Sequence, residues 1–264
     1  MRQTTHRTVP RAVAVGTAAG FLSGLFGVGG GILIVPGLVL LLGMAQRQSH
    51  GTSLAAIIPI ALSGAAGYAL DGAVDWAAAG LLSIGAVGGA VVGTRLLGRL
   101  PERGLRLLFA ALMVGTAVAL PFQVARLAAP AAPDVGEVVL LVALGLLAGT
   151  MGGVLGVGGG IVMVPGLVLL LSVSLPVAKG TSLVVIVPTA LVGTIRNLRA
   201  GNTDLRVAAV TGAAGVASAF GASLLAVRLD PLLSAALFGA LLVAMAARLL
   251  LAARGRPVPG DPTP

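Results

Sequence analysis

The chain has 264 residues, 57% of them hydrophobic and only 9% charged, with 40 Gly, no Cys and one Trp, and its mean hydropathy is +1.07. Soluble domains carry roughly 25% charged residues, so this chain cannot cover itself with polar surface in water. The formal charge of +9 comes from Arg residues and the one lysine, Lys179, scattered singly between apolar runs. There is no basic stripe with interleaved aromatics, which argues against a nucleic-acid partner. Lack of Cys excludes disulfides, thiol catalysis and thiolate metal sites, and the isolated His6 and His50 make no metal cluster. No nucleotide or other cofactor motif is present, so neither cofactor nor enzymatic chemistry is expected. What remains is an all-α polytopic membrane protein with the lipid bilayer as its first partner.

In chain order, three Arg precede a short apolar stretch, as in a secretory signal peptide. The equivalent stretch in the second half is internal, which favours a membrane segment over a cleaved leader. Segment 12–43 follows, too long for a simple span and interrupted by Gly27-Val28-Gly29-Gly30-Gly31. As one helix it would reach about 48 Å at 1.5 Å per residue. Apolar crossings over 51–70, 76–94 and 105–121 come next. Segment 138–171 repeats the opening, with Gly156-Val157-Gly158-Gly159-Gly160 at its centre, and crossings over 180–195, 206–227 and 231–250 complete the series.

The two halves are copies in constant register: Gly51-Thr52-Ser53-Leu54 recurs as Gly180-Thr181-Ser182-Leu183, Pro59 as Pro188, Gly64 as Gly193 and Asp75 as Asp204. Internal repetition of this kind marks duplication of one membrane unit. The expected organisation is a cytoplasmic N-terminus over 1–11, repeat 1 over 12–121, an external linker over 122–135, repeat 2 over 136–253 and a disordered Pro-rich cytoplasmic tail over 254–264.

Cytoplasmic loops collect Arg and Lys, and this orients the segments. If 12–43 and 138–171 each crossed once with a kink, Arg47, Arg95, Arg99, Arg103, Arg106, Lys179 and Arg228 would all lie outside. If each turns back at its glycines as a hairpin, only Arg126, Lys179 and Arg228 of the 17 basic residues do. A hairpin plus three crossings is an odd number of passes, so the second unit enters from the opposite face. The expected fold is two inverted-topology repeats, each a Gly-broken helical hairpin plus three transmembrane helices, with both termini cytoplasmic. Inverted repeats with broken helices are a recurring plan of secondary transporters, which bind substrate near the midplane.

The candidate substrate-binding residues are therefore Gly27, Gly29, Gly30, Gly31, Gly156, Gly158, Gly159 and Gly160 at the breaks, with Thr52, Ser53, Thr181 and Ser182 at the start of the following helices. Glycine breaks expose amides that lipid cannot satisfy, and a helix restarting between Ile32 and Pro36, or Ile161 and Pro165, offers free N–H groups and partial positive charge. That favours anions by about 0.3–1 kcal/mol at exposed sites and more when dry. The alternative for the breaks is packing alone, which is the reading for Gly85, Gly89 and Gly93. The hydroxyls can cap amides or reach a substrate oxygen, with capping favoured. His50 and Lys179, at equivalent positions, are either cationic lips that gate anions or interfacial snorkelling side chains. Arg196 and Asn197 read as anchors of a helix end, and Asp75 and Asp204 as N-terminal helix residues. No carboxylate sits in mid-span to relay protons.

At G-x-x-G-V-G-G-G-x-x-x-V-P, its duplicate, and the G-T-S-L after each copy, the sequence resembles the sulfite exporter TauE/SafE family of membrane permeases, over about 12–250. The resemblance implies a multi-pass inner-membrane carrier of sulfite, sulfonates, sulfoacetate or related organosulfur anions. Without it, the residues indicate a small anion of no particular element. The competing reading is a non-transporting membrane anchor or assembly subunit with dry, purely structural breaks.

Overall fold

The structure is a computed structural model that describes residues 5–96, 110–111, 113–119, 135–155 and 158–253. In repeat 1 it contains α1 (Thr5–Phe26), α2 (Gly31–Leu42), α3 (Gln46–Leu70) and α4 (Trp76–Leu96), and residues 110–111 and 113–119 are also helical. Repeat 2 contains α5 (Val135–Leu155), α6 (Gly160–Leu171), α7 (Leu175–Arg199), α8 (Leu205–Arg228) and α9 (Pro231–Ala253). No strand occurs among the described residues. Among the described residues five helices are long and apolar enough to cross a membrane, while α2 and α6, at 12 residues each, cover only about 18 Å of the roughly 30 Å of hydrocarbon. Of the linker expected over 122–135, Val135 already opens α5 and the rest lies outside the described residues, as do the tail over 254–264 and, of the crossing expected over 105–121, all but 110–111 and 113–119.

Each opening segment is a hairpin. Gly37 of α2 lies against Val15 of α1, Gly30 against Ala19, and Arg11 Nη1 donates to the Leu41 carbonyl at 2.8 Å, so α2 runs back along α1. The same pairing recurs between Gly166 and Leu144 and between Gly159 and Ala148. The glycines permit the reversal: Gly27, Gly29 and Gly30 have φ of 71°, 80° and 73°, and Gly158 and Gly159 of 83° and 81°, a region closed to most side chains.

The interior is apolar, as in a soluble protein, but the outer surface is apolar too. Leu62, Ile84, Val139, Leu191 and Val243 face outward, whereas Ser23, Ser49, Thr52, Thr181, Thr211 and Ser223 are buried. Lipid offers no hydrophobic drive between helices, so close backbone approach must hold them. Gly16, Gly20 and Gly24 of α1 pack on the backbone of Thr211, Gly215 and Ala219 in α8. Gly145 and Gly149 of α5 pack in the same way on Leu82 and Ala86 of α4, and Gly85 and Gly89 of α4 on Val142 and Leu146. Both pairs are parallel. The equivalent helices α3 and α7 are antiparallel, with Gly64 against Leu183 and Gly193 against Leu54.

Four expected helix starts shift, two in each repeat. The helices expected over 51–70 and 180–195 begin earlier, at Gln46 and Leu175, since Ala45 and Ser174 already serve as extended N-caps. The helices after the breaks begin at Gly31 and Gly160, because left-handed Gly30 and Gly159 are the N-caps. Pro36 and Pro165 consequently stand in the second turn, where each withholds the N–H that would bond the carbonyl of Ile32 or Ile161.

Gly149→Ala should lower stability by about 1–3 kcal/mol, because the added methyl meets the Ala86 carbonyl across the α4–α5 crossing. Gly80→Ala, on an open face of α4, should leave stability unchanged or raise it by about 0.5–1 kcal/mol. Unfolding in detergent measures both, and equal effects would contradict the tight crossing.

Candidate functional site

The two glycine breaks meet. A Cβ on Gly160 would fall 2.7 Å from Val28 Cα and 2.9 Å from the Gly27 oxygen, so the start of α6 presses directly on the first break. Ile186 and its repeat equivalent Ile57 flank the contact, at 3.0 and 3.8 Å from a Cβ built on Gly158. The N-cap residues, Gly30 and Gly159, have no side chain with which to cap their helices. Intrahelical bonding starts with Leu33 and Ile34 on the Gly30 oxygen and with Val162 and Met163 on the Gly159 oxygen. The amides of Gly31, Ile32, Gly160 and Ile161 precede those first bonds, as helix geometry requires of an N-terminus. Two partial positive ends therefore converge in the protein interior, and no charged side chain is needed to create them. Gly27, Gly29, Gly30, Gly31, Gly158, Gly159 and Gly160 share this region, while Gly156 lies outside the described residues.

Thr52 and Thr181 do not cap their own helices, because α3 and α7 start well before them. Both are buried, and each accepts a hydrogen bond across the repeat: Asp204 N–H donates to Thr52 Oγ1 and Asp75 N–H to Thr181 Oγ1, both at 2.9 Å. The glycine before each Thr makes the approach possible, since a Cβ on Gly51 would overlap the Asn202 oxygen and one on Gly180 the Ala73 oxygen. Asp75 and Asp204 behave as expected of helix starts. Asp75 Oδ1 accepts from Ala78, and Asp204 Oδ1 from Arg206 and Val207. Ser53 and Ser182 are buried one residue further on, the latter with its hydroxyl 4.0 Å from Met163 Sδ on α6.

Lys179 is not on a rim. Only 1% exposed, it donates from Nζ to Ser234 Oγ of α9 at 2.9 Å and lies 5.9 and 5.6 Å from the ring centroids of Phe26 and Phe238. The reason is local. α7 begins five residues earlier than expected, which carries Lys179 inside, and the bare backbone of Gly27 packs against its Cα. His50, its equivalent, is only partly buried. Arg196 donates to the carbonyls of Ala90 and Val91 and so ties α7 to α4, and Asn197 donates to the Gly193 carbonyl, as anchors should.

Sequence reasoning missed Ser23, a buried hydroxyl without a hydrogen-bond partner at the end of α1, and missed the Phe26, Ser234 and Phe238 surround of Lys179. Spacing could not have joined residues so far apart in the chain, although a lone lysine beside charge-free runs was a signal. Thr52→Val and Thr181→Val should each lower stability by about 1–3 kcal/mol, since a buried amide loses its acceptor. Thermal unfolding of detergent-purified protein tests this, and unaltered stability would show that these hydroxyls do not hold the repeats together.

The sequence profile of the sulfite exporter TauE/SafE family matches residues 1–120 and 141–264. The chain is 39% identical over 102 residues to the "Probable membrane transporter protein YdhB" of Bacillus subtilis (strain 168), a match covering 39% of this chain and 42% of that protein. It is 28% identical over 220 residues to the "Probable membrane transporter protein YunE" of the same strain, covering 73% and 79%. With a "Probable membrane transporter protein" of Haemophilus influenzae it shares 31% over 160 residues, or 57% and 59%. The YdhB and Haemophilus matches each span less than two thirds of those proteins. No solved structure matches the chain. With the profile covering both repeats and the apolar helices long enough to cross lipid, the chain is a multi-pass membrane protein of the sulfite exporter TauE/SafE family.

Proposed function

We propose that the protein is a secondary transporter that moves a small anion, sulfite or an organosulfonate, across the inner membrane by alternating access around its two glycine breaks. The observation that carries this reading is the start of one broken helix, at Gly160, pressed on the other glycine break at Gly27 and Val28, with a glycine N-cap opening each of the two short helices. Such ends favour anions, and irregular backbone at membrane depth is tolerated where it faces protein or lines a cavity. The names of the relatives support transport. Sulfur enters through the family description alone.

Because the breaks touch backbone to backbone, an anion can be seated only when they part. Short α2 and α6, each joined to its neighbour by left-handed glycine, are the elements suited to that movement. The repeats lie in the membrane with inverted topology, a reading supported by the antiparallel packing of α3 on α7 and by the arginine distribution. Both termini are cytoplasmic in this arrangement.

Two experiments test the proposal. Asp71→Cys and Ala200→Cys, exposed and equivalent in the two repeats, should label from opposite faces of the membrane in a chain with no other thiol. Labelling from one face would refute the inverted arrangement. In proteoliposomes offered sulfite, methanesulfonate, thiosulfate and acetate, the wild type should carry at least one of the sulfur anions. Gly30→Ala combined with Gly159→Ala should lower that flux at least about tenfold, since each left-handed position resists a side chain by about 1–2 kcal/mol. Size-exclusion chromatography verifies folding. Undiminished flux in a folded double variant would remove the breaks from the transport path.

A further inference from the structure

The repeat is symmetric in its backbone and asymmetric in its chemistry, and the asymmetry is concentrated at one break. Lys179 packs its backbone against Gly27 and carries its ammonium to the ring of Phe26, the residue before that break, and its repeat equivalent is His50. Phe26 and Ser234, which surround that ammonium, correspond to Leu155 and Leu105. Ser23, fully buried with its hydroxyl unpartnered, corresponds to Gly152. A Cβ on Gly152 would point into the second break, 2.6 Å from the Gly159 nitrogen and 2.8 Å from the Gly158 carbonyl carbon. Ser23 stands at the matching place in the first break, and its own carbonyl accepts from Gly27 N–H at 2.8 Å.

The ammonium is under-compensated. One neutral hydroxyl and two aromatic faces surround it, and no carboxylate pairs with it among the described residues. The acids on neighbouring elements are engaged as helix caps, Asp75 on Ala78 and Asp230 on Leu232 and Leu233. A buried charge without a counter-ion is strongly unfavourable, and cation–π contacts offset only part of that. An unmatched cation and an unmatched hydroxyl donor at the same break call for one ligand that is anionic and accepts hydrogen bonds.

We propose that the Lys179 ammonium is the charge partner of the transported anion and the Ser23 hydroxyl its neutral donor, so that the first glycine break determines specificity for an oxyanion. This rests on the transport reading above and assigns the charge selectivity to named side chains. Ser234 and the two phenylalanines hold the ammonium while the breaks are closed, and the anion takes it from Ser234 when they part. The second break contributes backbone amides only.

The test uses the full chain and the anion that the wild type carries best among sulfite, methanesulfonate and thiosulfate, with neutral dimethyl sulfone as control. Lys179→Met should raise KM for flux at least about tenfold, the scale of one charge-assisted hydrogen bond. It should also abolish the rise in Tm that the anion gives the wild type, and its own Tm without anion should equal or exceed that of the wild type, because an unpaired buried charge has been removed. Ser23→Ala should raise KM with an unchanged Tm, its equivalent being a glycine in the other repeat. Should Lys179→Met fail to fold, Lys179→Gln, neutral yet able to donate to Ser234, carries the same readings. A folded neutral variant with wild-type KM, an intact anion-induced Tm rise and a lower resting Tm would make Lys179 a packing residue and overturn the inference. A wild type that carries none of the anions would instead refute the transport reading itself.

Discussion

Inside a bilayer no backbone N–H or C=O can turn to water, and neighbouring helices gain nothing from hiding apolar side chains that lipid already solvates. Both demands are answered by glycine set against backbone. Along α1 and α8, and along α4 and α5, glycines spaced four residues apart admit the facing helix to backbone contact. Each of those pairs joins one repeat to the other. The first arm of each hairpin is held by the fourth helix of its partner repeat, so neither repeat has a complete interior alone. The bonds from Asp204 to Thr52 and from Asp75 to Thr181 follow the same exchange, and they fix the ends of helices whose faces glycine has already brought together.

The breaks are where this economy of satisfied backbone is suspended. Left-handed glycine turns the chain back after α1 and α5, and proline in the second turn of α2 and α6 deprives one further carbonyl of its intrahelical donor. Unbonded donors and acceptors thus accumulate within a few residues, at a depth where water is scarce. A segment with few internal bonds also needs few to be broken when it moves, which is why the short arms rather than the long helices are suited to parting.

The hairpins were legible because arginine placement and segment length both opposed a single long crossing, and the turn at Gly27–Gly31 follows from glycine alone. Residues at Gly85 and Gly89 announced helix contact through their spacing. What spacing could not supply was the partner. Thr52 was readable as a capping hydroxyl, but its amide belongs to Asp204, and the pairing exists only once the repeats are docked. Lys179 was misplaced at a rim because its helix starts earlier than the charge-free run suggested, and five residues of helix turn a surface position into an interior one. Ser23 carried no signal at all, since a serine among glycines near a helix end has the composition of packing.

A duplicated scaffold and a single cation are compatible demands rather than competing ones. Two conformations that open to opposite faces are most nearly balanced in energy when two equivalent halves exchange roles, and this favours symmetry in the glycines, prolines and threonines that shape the backbone. One small anion at the contact of the halves has no use for two ammonium groups. A second lysine at position 50 would add a cation that a single bound anion could not neutralise together with the first. Symmetry in the frame and asymmetry in the charge therefore follow from the same requirement. The exchange of Ser23 for Gly152 and of Lys179 for His50 makes the two halves chemically unequal while their backbones stay equivalent.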